Sequence, residues 1–154
     1  MPEVGEERRR FREKVIKALG DYVRHVLARR LKLKLAILYG SFARGDWKPG
    51  SDVDLLVVAE GLPPDPRDRW DLIATLVEGL PIEPHAFTPG EFEEMVRHGR
   101  MTAADALTEG LVLHAEPAYL RRIRELFERV RRETGLRKEG AAWVRDARTM
   151  ERNA

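Results

Sequence analysis

The sequence predicts one mixed α/β (α+β) domain, a short sheet flanked by helices. Two apolar runs, residues 33–39 and 53–59, have the length and the Leu, Ile and Val content of buried strands. Helical stripes lie on either side of them, Phe11, Val15, Ala18, Tyr22 and Val26 before and Leu120, Ile123, Phe127 and Val130 after. The 154 residues suit a single domain, which at that size buries about 70% of its unfolded surface.

Taken in order, the first stripe predicts a helix over 6–30, widened by Leu19, Val23 and Leu27. Its outer face carries Arg8, Arg9, Arg10, Arg12, Lys14 and Lys17 interleaved with Glu6, Glu7 and Glu13, the pattern of a solvated face laced with local ion pairs. The connection 40–51 holds three glycines and a proline, so no regular structure is expected there. Asp65 as cap and Pro66 in the first turn predict a helix over 65–78, with Trp70, Ile73, Leu76 and Val77 turned inward and Gly79 as its stop. Pro81 and Pro84 lack the amides of a central strand, which makes 80–87 a short edge strand or an irregular extended run.

Thr88-Pro89-Gly90-Glu91 has the form of a capping box and predicts a helix over 89–97. A short helix over 102–108, a small strand over 111–114 and a last helix from Pro117 to Gly135 follow. Beyond Arg137 a charged tail is expected, ordered only if Trp143 docks. The divisions are therefore a core over 1–114, a packing helix of the same domain over 115–136, and a tail over 137–154.

Composition narrows the function classes. Lys and Arg number 28 against 26 Asp and Glu, and a net charge of +2 argues against nucleic acid as the main partner; the pI of about 9.1 leaves a contact through the basic outer helices as a third-ranked alternative. The absence of Cys excludes disulfides and thiolate metal sites and fits a reducing cytoplasm. No apolar run approaches a membrane span and no apolar signal core follows the N-terminus, so a cytoplasmic protein without membrane contact is expected. The charged fraction of 35%, with no Gln and only Asn153, is the composition of proteins from hot environments.

The chemistry concentrates between the two strands. Asp52 and Asp54, two apart at a strand's start, project from one face, while Val53 and Leu55 point into the core. Carboxylates that close repel unless a cation lies between them, and oxygen ligands suit magnesium. Gly40-Ser41 permits close backbone approach to a phosphate, and Arg44 and Lys48 lie in the same connection to neutralise its charge. Together these are the minimum apparatus for phosphoryl or nucleotidyl transfer. Trp47 either stacks on a base or covers its own strands, and Trp70 is expected in the core. His25 within the first helix and His98 near the end of another read as structural or solvated residues, and His114 has no second His or acid at metal-ligand spacing around it, which argues against zinc.

Gly40-Ser41, ten intervening residues and Asp52-x-Asp54 in an apolar strand resemble the signature of the DNA polymerase beta nucleotidyltransferase superfamily. The text GSFARGDWKPGSDVDLLV is similar to the minimal nucleotidyltransferases of bacteria and archaea. The resemblance implies the nucleotidyltransferase fold, with the Gly-Ser pair on the triphosphate, Asp52 and Asp54 on two Mg2+ ions, and a third acid on a neighbouring strand as metal ligand and base. That strand's only acid is Glu83, followed by Pro84, with His85 on the same face. The implied activity is magnesium-dependent transfer of an NMP, expected to be AMP from ATP, to an acceptor hydroxyl. Proteins of this kind are often paired with a HEPN-type partner, which the transferase adenylylates as the antitoxin of a toxin–antitoxin pair. A homo- or hetero-oligomer is expected on that basis. The alternative is a non-catalytic antitoxin or complex subunit that binds nucleotide or partner through a vestigial site.

Overall fold

Val15, Leu19, Val23 and Leu27 recur every four residues, and all four are fully buried. Each such step overruns a 3.6-residue turn by about 40°, so a straight helix would rotate this stripe off the core. The structure, a computed structural model describing residues 4–146, meets the drift with a change of helix type. Helix α1 (Val4–Tyr22) passes into a π-helical turn at Val23–Leu27 and ends in the single turn α2 (Ala28–Arg30). The wider i→i+5 turn keeps Val23 and Leu27 on the same side as Val15.

The sheet is built outward from two central strands. β1 (Lys32–Tyr39) runs antiparallel to β2 (Val53–Glu60), with Tyr39 opposite Asp54. Between them lies a short helix, α3 (Ser41–Arg44). After helix α4 (Pro66–Ile73), strand β3 (Leu76–Val77) turns back into β4 (Leu80–Phe87), which pairs parallel to β2 and sets Glu83 beside Asp54. Helices α5 (Pro89–Arg97) and α6 (Met101–Glu109) lead to β5 (Leu111–Ala115) on the other side of β1, giving the order β3-β4-β2-β1-β5. Helix α7 (Pro117–Thr134) follows.

Helices cover both faces. Val53, Leu55, Val57 and Ala59 of β2 pack with α1 and with Ile73 of α4. Leu56 and Val58 pack with Phe92 and Val96 of α5, Ala103 and Ala106 of α6, and Ile123 and Phe127 of α7. Among the described residues no helix is long and apolar enough to cross a membrane.

Several elements depart from the sequence expectations. The connection after β1 holds one regular turn, α3, closed by Gly45 in the left-handed region. Helix α4 starts as expected, with the Asp65 side chain accepting from the Arg67 amide at 2.8 Å, but stops at Ile73 rather than Glu78. Leu76 and Val77 are drawn into pairing with β4, and Glu78 (φ 50°) and Gly79 (φ 78°) form the reversal, the positive-φ pair a tight hairpin demands. Gly79 therefore turns a hairpin instead of ending a helix. Ile73 and Val77 are buried, whereas Trp70 and Leu76 are 45% and 69% exposed and do not belong to the core.

Nor is β4 an edge strand along its whole length. The Ile82 amide donates to Thr75 O at 2.9 Å and Ala86 O accepts from Arg69 Nη1 at 3.1 Å, so alternate residues 82, 84 and 86 present their backbone away from β2. The missing amide of Pro84 thus falls on the side opposite β2, and Pro81 precedes the first paired residue, Ile82.

At the C-terminus Arg137–Glu139 (β6) and Ala142–Val144 (β7) form a hairpin instead of a tail. Trp143 does dock: its ring lies 6.3 Å from that of Phe127, and Nε1 donates to Asp105 Oδ1 at 2.8 Å. Lys138 adds ion pairs to Asp105 at 3.0 Å and Glu109 at 2.5 Å. The rest of the expected tail, 147–154, lies outside the described residues.

Candidate active site

Strand alternation divides β2 between two tasks. Val53 and Leu55 are fully buried, and between them Asp54 projects, half-buried, onto the face shared with Leu56. The parallel register then brings Glu83 alongside Asp54, and His85, two residues on, returns to the same face. His85 Nε2 lies 3.3 Å from Asp54 Oδ1 and 3.9 Å from Glu83 Oε1. Ligand atoms of Asp54, Glu83 and His85 all lie within 4.8 Å of one another. Asp52, exposed just before β2 begins, stands outside that trio.

The surroundings fix this cluster. Gly40 has φ 80°, and a Cβ placed there would meet Asp54 Oδ2 at 2.5 Å, so only glycine lets the strand end pass so close to the carboxylate. The other oxygen, Oδ1, is the one aimed at His85. The Tyr39 ring meets the His85 ring edge-on at 5.6 Å. Burial, reinforced by the charges of Asp54, Glu83 and Asp105, pushes the Tyr39 phenol well above its ordinary value, so its proton stays on. Burial also raises the Glu83 carboxyl; the charge of His85 pulls it back, and the charges of Asp54 and Asp52 add to the rise.

The residues expected to meet phosphate are more dispersed. Gly40 and Ser41 sit at the junction of β1 and α3, with Gly40 against Asp54. Arg44, at the end of α3, is engaged by Asp46 and by Glu109 of α6, each at 3.3 Å. Lys48 is exposed on the loop, its amide donating to Ser51 Oγ at 3.2 Å. Trp47 packs against the protein: its ring centre lies 4.6 Å from that of Phe42 of α3, and the Arg8 guanidinium of α1 lies over it at 3.7 Å. Arg8 also donates to Trp47 O, and Arg12 to Phe42 O and Ala43 O, so α1 braces the loop.

Two carboxylate oxygens and an imidazole nitrogen at this spacing fit a divalent cation, which would offset their mutual repulsion. His85, expected on the face of Glu83, was given no part in the site by the motif. Its signal was the two-residue step from Glu83, which on a strand means a shared face.

The family model of the nucleotidyltransferase domain matches residues 21–113, more than half of the chain. The chain belongs to the nucleotidyltransferase-domain family. The matched span runs from the end of α1 into β5 and encloses Gly40, Asp52, Asp54, Glu83 and His85. The mixed five-stranded sheet flanked by helices is the nucleotidyltransferase fold expected from the motif. No curated protein sequence matches the chain significantly. Among solved structures, a toxin–antitoxin with AMP-PNP is similar over 79% of this chain and 90% of that one, at 19% identity and a TM-score of 0.43. A mutant of the toxin–antitoxin MntA-HpeT covers the same shares at 17% identity and a TM-score of 0.43. A tri-AMPylated Shewanella oneidensis HEPN toxin in complex with MNT antitoxin is similar over 82% of this chain and 91% of that one, at 17% identity and a TM-score of 0.42.

Proposed function

We propose that this nucleotidyltransferase domain is catalytically competent and moves an NMP, AMP in the first instance, from an NTP to an acceptor hydroxyl. The observation that carries the reading is the pairing of Asp54 with Glu83 across the β2–β4 ladder, with Asp54 packed against Gly40 and Asp52 two residues before it. In the reaction the acceptor oxygen bonds to the α-phosphorus and the bond to the β-phosphate breaks, releasing pyrophosphate. Bound divalent ions, two Mg2+ in this reading, supply the positive charge that such transfer requires. Asp52, Asp54 and Glu83 hold them. Glu83, alongside Asp54 on the neighbouring strand, takes the acceptor proton. Gly40 and Ser41 meet the phosphate oxygens with main-chain amides left without helical partners in the first turn of α3 and with the Ser41 hydroxyl. Arg44 and Lys48 add positive charge from the same connection.

For the acceptor, the motif's similarity to minimal nucleotidyltransferases supports a hydroxyl on a HEPN-type protein partner. The chain would then act in the cytoplasm as the antitoxin of a toxin–antitoxin pair, within a hetero-oligomer. The test is incubation of the chain and any co-purified protein with ATP labelled on the α-phosphate, with a divalent cation. Label on the partner and free pyrophosphate are expected from the wild type and not from Asp52→Asn combined with Asp54→Asn. No nucleotide binding by the wild type, or equal labelling by the double variant, overturns the reading. Neutralisation of the partner by the double variant would instead assign the chain a binding role.

A further inference from the structure

We propose that His85 is itself a ligand of the metal bound at this site and biases it towards a first-row transition-metal dication over magnesium. The inference rests on the reading of this cluster as a divalent-metal site, replaces magnesium as the ion it favours, and does not depend on turnover.

Spacing is the first support. Two ligands that each lie about 2.1 Å from one ion stand about 3.0 Å apart when they meet at a right angle and about 3.4 Å apart at a tetrahedral angle. The 3.3 Å between His85 Nε2 and Asp54 Oδ1 is that of neighbouring ligands, and the 3.9 Å to Glu83 Oε1 lies below the limit of about 4.2 Å set by opposed ligands. The ladder sets this spacing, because Asp54 belongs to β2 while Glu83 and His85 belong to β4, its parallel neighbour.

Orientation is the second. Asp54 Oδ2 is pressed against Gly40, which leaves Oδ1 turned towards the imidazole, and the edge-on Tyr39 ring limits how far that imidazole can swing. The side chains of His85 and Asp54 are 31% and 29% exposed, so an ion can reach them from solvent. The third support is ligand chemistry. Magnesium keeps an all-oxygen shell and dehydrates reluctantly, whereas manganese and cobalt accept a nitrogen donor beside carboxylates. An aspartate in place of His85 would have given the oxygen set that magnesium prefers.

The competing account is that His85 only orients Asp54 through a hydrogen bond. Removing an outer partner of that sort weakens every metal alike, so selectivity separates the two. Titration of the nucleotide-free wild type with Mg2+, Mn2+ and Co2+ by calorimetry is expected to show tighter binding of Mn2+ and Co2+ than of Mg2+. In His85→Ala, Mn2+ and Co2+ should weaken by about 10–100-fold while Mg2+ stays within about threefold. His85→Gln should retain Mg2+ binding without restoring the Co2+ preference. Electron spin echo of bound Mn2+ should show nitrogen modulation in the wild type and none in either variant. Thermal unfolding of both variants checks that the fold persists, and the echo measurement on the wild type decides the matter if His85→Ala does not fold. Equal losses for all three metals, or no nitrogen modulation in the wild type, overturn the proposal. Because nucleotide is absent throughout, failure of AMP transfer would leave this result standing, and the reverse also holds.

Discussion

The two faces of β2 carry nearly the same backbone and opposite duties. On one, Val53, Leu55, Val57 and Ala59 are fully buried against α1 and α4. On the other, Leu56 and Val58 pack under α5, α6 and α7, but the series breaks at Asp54, where the strand begins and the helices no longer cover it. Apolar burial on the first face is what permits charge on the second, since a strand anchored every second residue can hold a carboxylate rigidly at its open end. Choice of face together with position along the strand separates packing from chemistry.

Substituting neighbours on opposite faces should pull these duties apart most sharply. Leu55→Ala removes a fully buried side chain and should lower stability by about 3–5 kcal/mol in chemical denaturation, with metal affinity of the folded fraction unchanged. Asp54→Asn should keep stability within about 1 kcal/mol, because it relieves like-charge crowding, yet slow nucleotidyl transfer by at least about 100-fold. If Asp54→Asn unfolded the protein, or Leu55→Ala abolished metal binding in the folded state, the division would fail.

The helices over the chemical face are held in part by the C-terminal hairpin. Trp143→Ala deletes the contact with Phe127 and the hydrogen bond to Asp105 and should cost about 2 kcal/mol. Trypsin should then cut at Arg137 and Lys138 more readily than in the wild type. Gly40→Ala tests the junction of the two duties. The positive-φ, extended backbone of Gly40 costs about 1–3 kcal/mol for alanine, and the new Cβ must displace Asp54 Oδ2, so stability and metal affinity should fall together.

The smallest effect lies away from the site. A hydrogen bond from Arg69 holds the Glu91 carboxyl below its ordinary value, partly offset by burial and aided by Thr88. A carboxyl lowered in the folded state stabilises above its unfolded value, and that contribution is lost as pH falls through the lower, folded value. Glu91→Gln should therefore flatten the acid limb of the stability–pH curve by well under about 1 kcal/mol, since the side chain is 47% exposed.

Much of this was legible in the sequence, for reasons that are local. Gly40-Ser41, Asp52-x-Asp54 and the apolar alternation of 53–59 are short-range patterns, and Thr88 and Glu91 form the capping box that their spacing predicts. What escaped depends on pairing between distant segments. Leu76 and Val77 fit a helical stripe until β4 offers a partner, and the Glu78-Gly79 reversal is invisible to helical periodicity. Pro84 reads as a strand breaker until its direction is known. His85 gains its meaning only from the register that aligns β4 with β2, and Lys138 and Trp143 gain theirs from Asp105 across the fold.

The most direct test of the central claim is divalent-dependent binding of a non-hydrolysable ATP analogue, measured by calorimetry on wild type and on Asp52→Asn combined with Asp54→Asn. Saturable binding that requires the cation in the wild type and disappears in the double variant is the expected result. Binding of equal strength in both proteins, or none in either, would contradict it.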